Sequence, residues 1–538
     1  MKVLDKDSYL KLSKWKKIVY KFKYFFLITI PRVFFKIKKL DPISYIKLKR
    51  IQKIGYKIKF FYLIKIPTFF KNLGKKIWRG IKGFGLGVAH FFKNLVIIFK
   101  EGDIWTKLSY FFMGVGSFAR GQILRGIIFA LMEIVFIIYM INVGGYYVGK
   151  LNSLGLIQPL DADDNVVAGA DNSFRIMLYG VLTIFFIIGF IYTWYLNIKQ
   201  NRINEQIKKD EKALATTKDD LRAIVDQQFH RTLLALPTLG IIIFTLLPIF
   251  FMILVAFTNY DANHNGYSNA LFGWVGFDNF STLFSWSAGG NEFSATFGEI
   301  LLWTLIWAFF ATFTNYFLGL VVAMLINKKG IKLKKVWRTV LVMSIAIPQF
   351  ISLLYVKNMF DFNGIINDVI AFFGGNRIHF LDDQATPFMA RLTVIIINIW
   401  IGIPYLMLVT TGILMNIPAD LYESASIDGA NVFQQYTKIT LPYMLFITGP
   451  YLLTSFTGNM NNFNVIYLLT GGAPHDGTLK LNAGKTDLLI TWLFNLAIDD
   501  SNYALGAVIG IMVFIIVAVI SLIVYNILPS TKNEEAFQ

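Results

Sequence analysis

Met415-Asn416-Ile417-Pro418-Ala419-Asp420-Leu421-Tyr422-Glu423-Ser424-Ala425-Ser426-Ile427-Asp428-Gly429-Ala430-Asn431-Val432-Phe433, continuing to Ile439-Thr440-Leu441-Pro442, is a polar insert between two long apolar runs. Its punctuation is that of short helices. Asp420 with Glu423 three residues on reads as a capping box, one side chain accepting from free N–H groups and the other reaching back. Gly429 suits the left-handed residue that ends a helix. Asn431 can cap a second helix, and Pro442 close it. The spacing predicts a helix of about two turns, roughly 12 Å long at 1.5 Å per residue, turning sharply into another. Small Ser424, Ala425 and Ser426 leave it thin enough to sink into a cleft on another protein. A plain solvated hairpin is the alternative.

The flanking runs set the fold class. The 538 residues are 55% hydrophobic and only 16% charged, with mean hydropathy +0.54, whereas soluble domains carry about a quarter charged residues. Apolar stretches near the ~20 residues a bilayer requires fall at about 123–146, 175–197, 234–258, 299–326, 338–358, 388–413, 444–466 and 503–528. This reads as an all-α integral membrane protein, a bundle of about eight transmembrane helices. Lys and Arg crowd the N-terminus, 198–232 and 327–337, while 147–174 carries Asp161, Asp163, Asp164 and Asp171, and 259–298 has no Lys or Arg. That asymmetry places both termini and the 414–443 insert in the cytoplasm.

Net charge is +19, yet residues 1–121 alone hold 28 Lys and Arg against 5 Asp and Glu. Stretches such as Tyr20-Lys21-Phe22-Lys23-Tyr24-Phe25-Phe26 alternate cations with aromatics, which suits amphipathic helices at the headgroup level facing anionic lipid. A nucleic-acid anchor is the competing reading of so basic a block, and no nucleic-acid partner is expected. Four regions follow: a basic interfacial segment at 1–121, an accessory hairpin with a cytoplasmic linker at 122–232, a core of six spans at 233–530, and a tail at 531–538.

Polar side chains inside hydrocarbon usually face a partner or a water-filled path. One cluster is Asn398, Trp400, Gly402, Pro404 and Tyr405, where Gly402-Ile403-Pro404 should loosen the helix. The other is Ser455, Thr457, Gly458, Asn459, Asn461, Asn462, Phe463 and Asn464. Asn459 and Asn462 lie three apart, on one helical face. Amides both donate and accept, and Tyr405, Trp400 or Phe463 could stack on a sugar's apolar face. Interhelical hydrogen bonding explains the same residues equally well. Glu133 is the one deeply placed acid and reads as a satisfied helix contact. A proton relay would need partners on other spans, and an ion-coupled carrier would need mid-membrane carboxylates and an internal repeat.

Enzymatic chemistry finds no footing. There is no cysteine, the five histidines are isolated, and no metal spacing appears. Gly484-Lys485-Thr486 resembles the end of a phosphate-cradling loop, but position 479, where its first glycine belongs, is Leu479.

The order Glu423-x-Ala425-x-x-Asp428-Gly429-Ala430, then an aromatic and Ile-x-Leu-Pro, resembles the "EAA" loop of ABC-importer permeases, with Ser424 in place of the first alanine. Asn461-Asn462-Phe463, Thr470-Gly471-Gly472-Ala473-Pro474 and Ala483 to Leu489 narrow the match. Over roughly 230–530 the chain is similar to the larger permease subunit of the maltose/maltodextrin importers, and so to a type I ABC-importer architecture with a cytoplasmic coupling helix. The resemblance implies a multi-pass protein of the bacterial cell membrane that performs no chemistry itself. It implies that Asp420, Glu423, Ala425, Asp428, Gly429 and Ala430 dock on an ATPase dimer. Asn398, Gly402, Tyr405, Asn459, Asn462 and Phe463 fall where a sugar is contacted, and Gly458 stands where the family can carry an aromatic. A second permease subunit and an extracytoplasmic solute-binding protein are the further partners. No cofactor is expected on this chain, ATP and Mg belonging to the ATPase. Permeases for other sugars or for glycerol phosphate have similar sequences.

Overall fold

The computed structural model describes residues 66–156, 170–267, 269–284, 292–328 and 330–528. The basic stretch up to 65, the acidic run at 161–164 and the tail at 531–538 lie outside them. The chain divides into two compact units, residues 1–107 and 108–538. Among the described residues the structure is helical, with two isolated β-bridges, Thr258 to Trp274 and Tyr267 to Ala270.

Eight helices among the described residues are long and apolar enough to cross a membrane: Gly74–Glu101, Ile123–Lys150, Ser173–Lys209, Phe229–Val255, Glu292–Asn327, Pro387–Leu414, Val432–Met460 and Tyr503–Asn526. The last seven match predicted spans. The remaining predicted span, 338–358, is not straight: Lys334–Ala346 and Gln349–Met359 meet at 94°. Proline drives the residue before it out of the α region, and Ile347 accordingly sits at φ −84°, ψ 126° before Pro348. Gly74–Glu101, part of a helix spanning Ile66–Glu101, was not expected as a continuous element, because charge interrupts it every few residues.

The predicted span 444–466 is corrected at both ends. Its helix starts at Val432, where Asn431 and Gln434 form a reciprocal capping box. Pro442 does not close that helix. The turn before it, Tyr436–Thr440, widens to π geometry, which carries the chain past a residue that has no N–H to bond. The helix stops at Met460, and after a break Asn462 caps a second short helix, Phe463–Leu469. The linker at 198–232 is made of more than one helix. Ser173–Lys209 runs straight on past 197, and Thr217–Val225 follows, begun by a Thr216–Asp219 capping box.

The largest packed cluster among the described residues includes Ile176, Phe272, Ile300, Trp492 and Val508, and two others line the bundle where the polar residues gather. Trp303, Trp307, Val394, Ile397, Val465, Ile466, Leu469 and Leu488 interlock in one, and Tyr316, Leu406 and Leu452 in another. The accessory hairpin has a polar seam instead. Asn197 donates to the Ser109 carbonyl at 2.9 Å, Asn204 to Gln122 at 2.7 Å and Arg120 to Asn201 at 2.8 Å. Glu133 accepts the Met113 N–H at 2.8 Å, so this acid is satisfied by the segment that precedes the hairpin.

Candidate functional site

A cavity of about 400 Å³ opens among helices 292–327, 387–414 and 432–460 and the 94° bend. It gathers Asn398, Gly402, Tyr405, Asn459 and Asn462, residues that lie up to 64 positions apart in the chain. Asn315, Ser344, Gln349, Ser352, Tyr451 and Ser455 complete its polar wall. Sequence reasoning missed Asn315, Ser344, Gln349, Ser352 and Tyr451. Pro348 inside an apolar run was the available signal for Ser344 and Gln349, since a proline there opens the wall of the bundle.

The helix Pro387–Leu414 stays continuous through Pro404, so Gly402 does not loosen it. Gly402 instead makes room: a Cβ there would run into the Asn315 amide, whose Nδ2 donates to the Asn398 carbonyl at 3.4 Å. Asn459 and Asn462 do not share a helical face, because the chain breaks between them. They remain joined, with Asn462 Nδ2 donating to Asn459 Oδ1 at 3.4 Å while Asn459 Nδ2 donates to Thr312 at 2.9 Å. Phe463 lies outside the cavity lining. The break turns its ring onto Tyr467, with centroids 4.7 Å apart, and edge-on to Phe494 at 5.0 Å. Trp400 is also off the wall and 62% exposed.

Two buried polar atoms of lining residues have no protein partner among the described residues: Asn315 Oδ1, an acceptor, and Asn398 Nδ2, a donor. Both side chains are buried, each 6% exposed. A buried polar atom without a partner loses its hydration, at about 1–3 kcal/mol each, and both atoms are closed off from the open part of the cavity. The lining has no Lys, Arg, His, Asp or Glu.

The polar insert forms the helix Ala419–Ile427, of nine residues. The expected Asp420–Glu423 capping box is absent. Pro418 occupies the cap position and offers no side-chain acceptor, so Asp420 falls inside the first turn, where its charge suits the helix dipole. The other end is as predicted. Gly429 is left-handed at φ 77°, its N–H donates to the Ser426 carbonyl at 3.1 Å, and the Ala430 N–H donates to the Ala425 carbonyl at 2.8 Å, a complete Schellman motif. Gln435 reaches back to Ser426 and the Ala430 carbonyl, and the Tyr422 hydroxyl meets Thr440 at 2.9 Å. The hairpin is braced by its own bonds. Asp420, Glu423, Asp428 and Gly429 are exposed, Ala425 and Ala430 half-buried, and Leu421, Ile427, Val432 and Phe433 present apolar surface.

Gly484-Lys485-Thr486, set aside as a phosphate loop, is a strut. Trp303 Nε1 donates to the Thr486 carbonyl at 3.0 Å, and Arg391 Nε to the Lys485 carbonyl at 2.8 Å, with the guanidinium 4.7 Å from the Trp303 ring centre. Lys485 Nζ pairs with Glu299 at 2.8 Å. Beneath it Asp487 accepts from the Gly484 N–H at 2.8 Å and the Thr491 hydroxyl at 2.7 Å, while burial pushes its carboxyl up to about 6. At the rim, Asp383 accepts from both the ring and the backbone N–H of His475, which hold its carboxyl below the usual range.

The binding-protein-dependent transport system inner membrane component family matches residues 315–533. The galactooligosaccharides transport system permease protein of Bacillus subtilis is 32% identical over 427 residues, 78% of this chain and 96% of that protein. The maltodextrin transport system permease protein of Streptococcus pneumoniae is 33% identical over 431 residues, 78% of this chain and 95% of its own length. The maltose/maltodextrin permease of Vibrio vulnificus is 35% identical over 48% of this chain. Among solved structures, a bacterial ABC transporter involved in alginate import aligns at TM-score 0.43 and 23% identity, over 57% of this chain and 98% of the other. Paired with multi-pass architecture, relatedness over nearly the whole length of two permeases places this chain in the family of binding-protein-dependent transport inner-membrane components.

Proposed function

We propose that this chain is the membrane-spanning permease subunit of an ATP-driven importer for neutral oligosaccharides of the maltodextrin kind. It forms half of the translocation path beside a second permease subunit. A solute-binding protein delivers the sugar outside, and an ATPase dimer, which alone uses ATP and Mg²⁺, grips the helix Ala419–Ile427 inside. Both chain termini then lie in the cytoplasm.

The observation that carries this reading is the uncharged polar lining of the cavity, with Asn315, Gln349, Asn398, Ser455, Asn459 and Asn462 brought together from four separate stretches. The side-chain amides of Gln349, Asn459 and Asn462 and the Ser455 hydroxyl on the lining can donate to and accept from a sugar's hydroxyls, while Tyr405 and Tyr451 offer ring faces to its apolar side. An uncharged lining disfavours glycerol phosphate, which would call for a cation. It also disfavours ion coupling at this place, which would call for a carboxylate. On the inner side, a helix closed by a Schellman motif and tied to Thr440 moves as a rigid peg. ATPase closure is thereby passed into rocking of the spans.

The test is uptake of labelled maltodextrin by the reconstituted complex carrying Asn398→Leu with Gln349→Leu. Losing about two hydrogen bonds, near 1 kcal/mol each, should lower uptake roughly tenfold or more while the subunits still co-purify. Wild-type uptake by the double variant would remove the cavity from the sugar path.

A further inference from the structure

The helix Ile66–Glu101 is about 54 Å long at 1.5 Å per residue, nearly twice the ~30 Å of a bilayer's hydrocarbon. By length and composition its Gly74–Glu101 part qualifies as a crossing. The placement of its charges points elsewhere. At 3.6 residues per turn, Lys75, Arg79, Lys82, Lys93 and Lys100 fall within about 60° of one another. His90 borders that stripe, and Leu86 and Ile97 interrupt it. Val88 and Phe92 point away from it and are exposed. Five of the helix's seven cations lie at 71–82, and Lys93 and Lys100 continue the stripe toward its end. Every 20-residue stretch contains Lys82, and those starting at Gly74 or later contain Lys93 as well. A crossing helix would carry these cations into hydrocarbon, where they are strongly disfavoured.

The helix also contains Gly74, Gly80, Gly83, Gly85 and Gly87, with open space beside each. Glycine weakens a helix in water. A water–lipid interface offsets that, because its low polarity favours internally bonded backbone.

We propose that Ile66–Glu101 lies in the plane of the membrane and binds anionic phospholipid headgroups through the stripe of Lys75, Arg79, Lys82, Lys93 and Lys100. The side holding Val88 and Phe92 sinks to the level of the acyl-chain boundary. The helix carries seven Lys and Arg against one acid, Glu101, so the attraction is to negative lipid and weakens with salt. This surface is independent of which solute the bundle carries.

The chain has no cysteine, so single-cysteine labelling needs no prior engineering. Val88→Cys, Phe92→Cys, Lys82→Cys and Lys93→Cys are made in the full-length protein, labelled with an environment-sensitive fluorophore and placed in nanodiscs. One set contains phosphatidylglycerol and the other only phosphatidylcholine. With phosphatidylglycerol, labels at 88 and 92 should be blue-shifted and quenched by shallow spin-labelled lipid, while those at 82 and 93 stay open to aqueous iodide. In phosphatidylcholine, or with Lys75→Gln and Arg79→Gln added, protection at 88 and 92 should fall severalfold. Quenching of 82 and 93 by deep spin labels shows a crossing helix and overturns the proposal. Water exposure of 88 and 92 in phosphatidylglycerol overturns it too, as does equal burial in both lipids.

Discussion

Asp487 shows how much one buried side chain can contribute to the pH response of the fold. Its carboxyl receives two hydrogen bonds, yet burial outweighs them and raises it to about 6 from 3.8. A carboxyl raised on folding binds its proton more tightly in the native state. The associated stability is therefore fully present below about pH 4, declines as pH climbs to about 6 and is gone above that. The size is on the order of 3 kcal/mol. Asp487→Asn keeps an acceptor for the Gly484 N–H and cannot ionise, so thermal melts between pH 4 and 7 should lose this slope. A variant with the slope of the parent protein would show that another group is responsible. The motif reading at Gly484-Lys485-Thr486 stopped at rejecting a phosphate loop. That these residues brace Trp303 and Arg391 could not be read locally, because both partners come from distant helices.

The element that most rewards local reading is Ala419–Ile427. Its C-terminal closure at Gly429 and the Asn431 cap after it were both legible, since each depends on a few neighbouring residues. The N-terminal cap was misplaced by two positions because Pro418 supplies a suitable backbone with no side chain to accept a bond. Gly429→Pro removes the N–H that reaches Ser426 and forbids φ 77°, costing the hairpin on the order of 3 kcal/mol. Insertion and protease resistance of the spans should survive, while the amount of ATPase co-purified should fall severalfold. Normal co-purification would mean that the helix shape is not what the ATPase reads.

Across the whole molecule, the strut at 484–486 joins helices 292–327 and 387–414 to the loop after 469. Arg391 contributes a hydrogen bond to the Lys485 carbonyl and a cation–π contact to Trp303, each worth about 1–2 kcal/mol when partly desolvated. Arg391→Leu should therefore lower stability by about 2 kcal/mol, visible as a lower melting temperature, and leave sugar affinity unchanged because Arg391 is not on the cavity wall. A loss of affinity with unaltered melting would place Arg391 in the transport path instead.

Span number and approximate placement, the polar hairpin and its left-handed glycine were settled by the chain's order alone. The reason is that each is local: bilayer thickness dictates the length of an apolar run, and a cap depends on residues three or four apart. The cavity was a matter for tertiary structure. Asn398, Gly402, Tyr405 and Asn459 were legible as unusual polar or breaking residues. Asn315, Ser344 and Gln349 were not, nor was the turning away of Phe463. Whether a polar atom in a span is satisfied depends on which helix faces it across the bundle, and that is decided only when the proline bend at Ile347-Pro348 and the break after Met460 bring distant walls together.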